Sequence, residues 1–164
     1  MQTIENRQKI TPFLWFDDNA EEAVNFYASL FNDSGILTIS RYWDEMPEMK
    51  WKILTVVFEL GWQKFMAIDW WPFFKFTEAI SLFVDCDSQE EVDSLWERLS
   101  EGWEKGQCWW LKDKFGLSWQ IVPHILGELM QDPDPEKTTR VMKAVMKMNK
   151  LESEVLKLAY DDKL

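Results

Sequence analysis

The stretch ITPFLWFDDNAEEAVNFYASLF, residues 10–31, holds a strand, a break and a helix in that order. Ile10 to Phe16 is a short apolar run, and Asp17-Asp18-Asn19 ends it. Ala23, Phe26, Tyr27 and Leu30 then recur at i, i+3, i+4 and i+7, one face of a 3.6-residue repeat. Asp18 or Asn19 is placed to supply the N-cap oxygen, and Glu21 and Glu22 stand where the positive end of the helix dipole favours carboxylates. The pattern returns about 70 residues later. Ala79 to Asp85 is a second apolar strand, Asp87-Ser88 a second cap, and Val92, Leu95, Trp96 and Leu99 mark one face of a second helix. A β–α unit used twice predicts an internal duplication. Helices 19–32 and 89–100 should lie on sheets, because their apolar faces have nowhere else to be buried.

The rest of the chain fits around these units. Module one reads as strand 10–16, helix 19–32, and strands near 36–43, 51–60 and 63–69, with 44–50 a polar loop. Lys52 to Leu60 is β-branched and aromatic, as a strand buried on much of both faces would be. DWWPFFK, residues 69–75, joins the modules. Module two reads as strand 79–85, helix 89–100, a turn around Gly102 and Gly106, and strands near 107–112 and 117–122. After Pro123 the chain turns helical to about Met130, where Asp132-Pro133-Asp134-Pro135 stops it. Val141, Ala144, Val145 and Met148 mark one further helix, and Leu151, Val155 and Leu158 another. The Met-rich stripe of this tail reads as packing.

The runs PFLWFDD, AEEAVNFYASLF, FKFTEAISLFVDCDSQEEVDSLWERLSEG, WLKDKFGLSWQIVP and DPDPEKTTRVMKAVMKM resemble the PhnB-like branch of the glyoxalase/bleomycin-resistance superfamily, also called vicinal oxygen chelate or VOC. The resemblance spans roughly Ile10 to Leu158. It implies an α+β fold of paired βαβββ modules whose sheets curl around a cavity, followed by C-terminal helices. The expected organisation is one VOC domain over 1–164, with module one at about 10–70, module two at about 76–123 and a helical tail over 124–164. Members are often labelled 3-demethylubiquinone 3-methyltransferase. That label fits this chain poorly. Binding S-adenosylmethionine in its common α/β fold needs a Gly-rich strand-to-helix loop, and no G-x-G occurs here.

At 164 residues the chain can bury a real core, and a 46% hydrophobic fraction excludes a disordered one. A net charge of −11 repels phosphate backbones and anionic lipid, so neither nucleic acid nor membrane is an expected partner. Cys86 and Cys108 have no C-x-x-C context and read as reduced buried thiols. MQTIENRQKI contains no signal-peptide stretch, and no run approaches a membrane span. The expected location is cytoplasmic. VOC proteins commonly dimerise, and apolar edge strands with an aromatic linker fit a homodimer.

Eleven tryptophans are unusual for this length. By the resemblance, Trp43, Trp62, Trp70, Trp71, Trp103 and Trp109 stand where PhnB-like proteins usually carry Gly. Several fall at turns, where Gly reaches positive φ freely and Trp does not. Two accounts stay open. The source organism reads UGA as glycine, or Trp70, Trp71, Phe73 and Phe74 form a genuine aromatic lip. The first expects exposed or strained rings, the second buried rings at Trp70 and Trp71.

For chemistry, metal-using VOC enzymes place His, Glu or Gln on cavity strands so that an open-sided divalent ion can chelate substrate. By the resemblance those places fall at Thr11, near Ala67 and at Gln120, a set with one usable carbonyl. No competent metal site and no cofactor are therefore expected. His124, the only histidine, lies outside the cavity strands. Neither Cys has a His base nearby in sequence, and no G-x-S-x-G elbow occurs. Asp17 and Asp18 read as capping carboxylates. What remains is a cavity lined by Thr11, Phe13, Trp15, Phe58, Phe65, Ala67, Asp69, Ser118, Gln120 and Val122, with Leu14, Phe16, Trp119 and Ile121 on the opposite face against the helices. Such a lining suits a small, partly aromatic ligand. The same side chains could equally fill the space as core, and a divalent-metal lyase, dioxygenase or transferase is the alternative function.

Overall fold

Pro12 has no N–H to give a neighbouring strand, and the first strand, β1 (Phe13–Phe16), starts just after it. The Pro12 carbonyl still accepts from Met66 N–H at 2.9 Å. The computed structural model describes residues 8–43, 49, 52–102 and 109–164. The chain divides into two units, Met1–Lys75 and Phe76–Leu164.

In the first unit β1 is followed by helix α1 (Ala20–Ala28) and strands β2 (Gly35–Arg41), β3 (Ile53–Leu60) and β4 (Gln63–Asp69). The sheet order is β1-β4-β3-β2, with β1 and β4 parallel and the other pairs antiparallel. Helix α1 packs across β3, β2 and β4 through Ala20, Ala23, Val24 and Tyr27. That stripe is rotated from the expected one. Val24 is buried, while Phe26 and Leu30 are only half-buried.

The cap of α1 also differs from expectation. Asn19 holds the N-cap position, but its side chain makes no capping bond. Asp69, at the end of β4, supplies the oxygen instead, accepting from Ala20 N–H at 2.8 Å. Asp18 adopts φ +62° and pairs with Lys52 at 2.6 Å. The local sequence names a cap, and a carboxylate 49 residues away fills it.

The second unit repeats the scheme with β5 (Ser81–Cys86), α2 (Gln89–Leu99), β6 (Trp110–Lys112) and β7 (Ser118–Pro123). Its order is β5-β7-β6, with β5 and β7 parallel and β6 antiparallel to β7. These strands stand for β1, β4 and β3 of the first unit. The place of β2 falls between α2 and β6, where 103–108, with Trp103, Gly106 and Cys108, lie outside the described residues, as do 44–48 and 50 of the expected 44–50 loop. Ser88 caps α2 as expected, accepting from Glu91 N–H, and Glu91 in return accepts from Asp87 N–H at 2.8 Å. Val92, Leu95, Trp96 and Leu99 are all buried against the sheet.

The phrase KDKFGLSW has a structural reason. Asp113 is fully buried, and its carboxylate accepts from Phe115 N–H, Leu117 N–H and Trp119 Nε1–H at 2.9, 3.0 and 2.8 Å. Gly116, at φ +87°, lets the turn between β6 and β7 close around it.

The tail forms α3 (His124–Met130), α4 (Pro135–Val145) and α5 (Ser153–Tyr160). Asp134 caps α4 by accepting from Glu136 N–H at 2.9 Å, with Pro135 in the first turn. Val122 of β7, Leu126, Val141, Val145, Leu151 and Leu156 make one buried cluster, so the tail is built onto the end of β7. In α5 the buried positions are Leu156 and Ala159, rather than the expected Val155 and Leu158. No described helix is long and apolar enough to cross a membrane.

Candidate functional site

Two rows of side chains cross the second sheet on the side away from α2. Lys112, Ser118 and Ser81 are partners in one row, and Trp110, Gln120 and Phe83 in the next. The intervening row of Leu111, Trp119 and Leu82 faces α2, since side chains alternate along a strand. Gln120 is held from both ends. Its Oε1 accepts from Trp109 Nε1–H at 2.9 Å, and its Nε2 donates to Ser81 Oγ at 2.8 Å. Lys112 pairs with Glu78. Ser118 is 1% exposed, and its Oγ has no hydrogen-bond partner among the described residues. Phe83, 60% exposed, and Trp110, half-buried, flank Gln120 along its row.

The expected cavity lining divides into two sets. Ser118 and Gln120 lie on the open side of the second sheet, with Val122 further along and covered by the tail. Phe13 and Trp15 lie on the open side of the first sheet, where their register partners are Met66 and Ile68. Thr11 precedes β1 and is half-buried. Phe58, Phe65, Ala67 and Asp69 belong to the opposite side. Leu14 pairs with Ala67, Phe16 with Asp69 and Phe58 with Phe65, so all share the helix-covered face. Phe58 and Phe65 stack there at 5.5 Å, both buried. The sequence pattern cannot set the register of β4 against β1, and a shift of one residue exchanges the faces. Ser81, Phe83, Lys112 and Trp110 escaped the sequence reading. Pairing β5 with β7, as the duplication pairs β1 with β4, would have found the first two.

Asp69 also borders a cleft of about 200 Å³ with Asp17, Asp18, Lys52, Trp70 and Trp71. Burial raises its pKa above the usual carboxylate range, against the lowering effect of the Ala20 N–H. Its geometry is that of a helix cap. His124 Nδ1 lies 2.8 Å from Asp85, whose carboxylate raises the imidazole pKa, and both groups are more than half exposed. Cys86 is buried, and that burial pushes its thiol up to about 12, so it is no nucleophile.

The donor set does not fit a divalent ion. Ala67 points toward α1, and its neighbours on the open side, Met66 and Ile68, offer no hard ligand. The Gln120 carbonyl is already taken by Trp109. Among the described residues no three His, Cys, Asp or Glu side chains are grouped to hold a metal.

A strand–helix–strands unit used twice, each with its first and last strands paired in parallel, defines a glyoxalase-fold, or VOC, protein. A family model described as 3-demethylubiquinone-9 3-methyltransferase matches residues 8–122. The chain belongs to that PhnB-like family. The PhnB protein of Bacillus cereus, which carries the same methyltransferase description, is 40% identical, with a TM-score of 0.63 over 71% of this chain and 99% of its own. Protein PA1353 of Pseudomonas aeruginosa shares the fold at 22% identity and a TM-score of 0.59, over 71% of this chain and 98% of its own. No protein with a curated functional description matches the sequence.

Proposed function

We propose that this protein binds a small, partly aromatic molecule on the open side of β5-β7-β6, without a metal ion. The observation that carries the reading is the Ser118 hydroxyl, buried and unpartnered beside an oriented amide. A buried hydroxyl left unpaired costs about 1–3 kcal/mol, which a ligand oxygen would recover. Phe83 and Trp110 stand on either side of Gln120 in its row, so an acceptor on an aromatic or apolar body matches the row. Lys112, in the row of Ser118, is engaged by Glu78, and among the described residues no His or Cys stands in the rows of Ser118 and Gln120, which supports binding over catalysis.

The test is a thermal-shift screen of small aromatic carbonyl compounds against the wild type, Ser118→Ala and Gln120→Ala. The reading expects hits that stabilise the wild type and lose most of that shift in both variants. It also expects Ser118→Ala alone to be neutral or up to about 1 kcal/mol more stable without ligand, since it removes an unpaired polar group. Hits that stabilise all three proteins equally would contradict it. The exposed rings of Trp71, Phe73 and Phe74 support the expected homodimer, which light scattering at two concentrations checks.

A further inference from the structure

The tail carries a surface that the sheet site does not use. Residues 137–150 contain Lys137, Arg140, Lys143, Lys147 and Lys150 and no acid, in a chain of net charge −11. Three of these cations are engaged. Lys137 meets Asp132 and Tyr160, Arg140 donates to the carbonyls of Ala159 and Tyr160, and Lys150 pairs with Asp93 and Glu152. Lys143, in the last turn of α4, and Lys147, just past its end, are exposed, and neither side chain has a hydrogen bond or ion pair among the described residues. They form a ridge with a groove on each side. One groove, about 410 Å³, has Ala144, Met148, Val155 and Ala159 along it, and Asp162 near Arg140 at its far end. The other, about 470 Å³, is lined by Met130, Met142 and Met146. Met146 is 66% exposed, so part of the stripe that reads as packing in the sequence faces outward.

We infer that this face of α4 docks an acidic amphipathic helix of a protein partner. Paired cations at i and i+4 match carboxylates spaced one turn apart on a facing helix. Unbranched methionines adapt to the apolar side chains such a helix would insert on either side of the ridge. The 11 residues of α4 extend about 16 Å, the length of three helical turns of a partner. A small anion would fill one groove and leave the other open, whereas a helix laid along the ridge covers both. The family model matches residues 8–122, and this surface lies beyond that span.

The experiment selects a random peptide library displayed on phage against the full-length protein, then measures the enriched peptides against the wild type and Lys143→Glu/Lys147→Glu. The inference expects enriched peptides with Asp or Glu beside an i, i+3, i+4 apolar stripe. It expects a tenfold or greater loss of affinity in the double variant, weaker binding at high salt, and methyl NMR shifts at Met142, Met146 and Met148. Circular dichroism of the variant checks that the tail still folds. Failure to enrich, enrichment of non-acidic peptides, or unchanged affinity in the folded variant would overturn it. Sedimentation with phosphatidylglycerol vesicles, or self-association of the protein, that is lost in the variant would instead assign the face to lipid or to a second copy and overturn it equally.

Discussion

Among the described residues, five other than glycine have positive φ: Asp18, Asp33, Trp62, Trp109 and Asp162. Aspartate tolerates that region, but a bulky side chain there carries about 1–2 kcal/mol of strain. Gly61 and Trp62, at φ +50° and +70°, are the two-residue loop between β3 and β4, a connection that calls for positive φ at both positions. Trp62 is also 75% exposed, so little packing offsets the strain. Trp71 is 57% exposed and Trp43 is exposed as well, while Trp70 is half-buried and stacks on Tyr42 at 5.9 Å. Buried rings at Trp70 and Trp71, which the adaptive account requires, are not found. The turn chemistry at Trp62 and Trp109 was legible in the sequence, because each breaks a local rule that its surroundings obey, whereas Trp43, Trp70 and Trp71 do not have positive φ. Trp62→Gly is expected to raise the melting temperature by about 2–4 °C. Trp109→Gly relieves the same kind of strain but loses the bond to Gln120 and the packing against the tail, so its gain is smaller. Differential scanning calorimetry of both variants decides, and a lower melting temperature in each would favour adaptation.

Among the elements, existence and order were readable from periodicity, while faces and caps were not. The helix after Asp17-Asp18-Asn19 starts where the pattern puts it but ends at Ala28, short of the expected residue 32, and its cap comes from Asp69 across the sheet. Such a partner has no local signature. Asp69→Ala is expected to destabilise the protein by about 1–2 kcal/mol through the lost cap, and Asp69→Asn, which keeps an oxygen acceptor, by much less. The pH dependence separates charge from shape. Burial raises the folded pKa of Asp69 above its unfolded value, so its favourable contribution is full below the unfolded pKa and is lost as pH rises through the folded one. Urea unfolding should therefore show Asp69→Asn gaining on the wild type as pH rises from about 4 to 7. A gap that is constant across that range would remove the titration argument. Register likewise hid which of Phe58, Phe65 and Asp69 face α1, because alternation fixes two faces without saying which one the helix covers.

At the level of the whole molecule, the duplication read from the sequence defines the fold, and the parallel pairs of β1 with β4 and β5 with β7 carry it. Four of the ten expected lining residues, Phe58, Phe65, Ala67 and Asp69, lie on the face beneath α1, whereas Ser118 and Gln120 lie on the side of their sheet away from α2, beside Ser81, Phe83 and Trp110. The expectation of no competent metal site at Thr11, Ala67 and Gln120 rests on residue types, since Thr and Ala are not ligands for a Lewis-acid site. What the sequence could not show was the unpaired Ser118 hydroxyl, which depends on burial and on what its neighbours already bond. A crystal structure of the untreated protein tests the claim built on it. The account predicts electron density for an organic molecule with an oxygen within hydrogen-bond distance of Ser118 Oγ and a ring against Phe83 or Trp110. A metal ion held by Gln120 and two further protein side chains, or a Ser118 hydroxyl bonded to protein in a closed core, would contradict it.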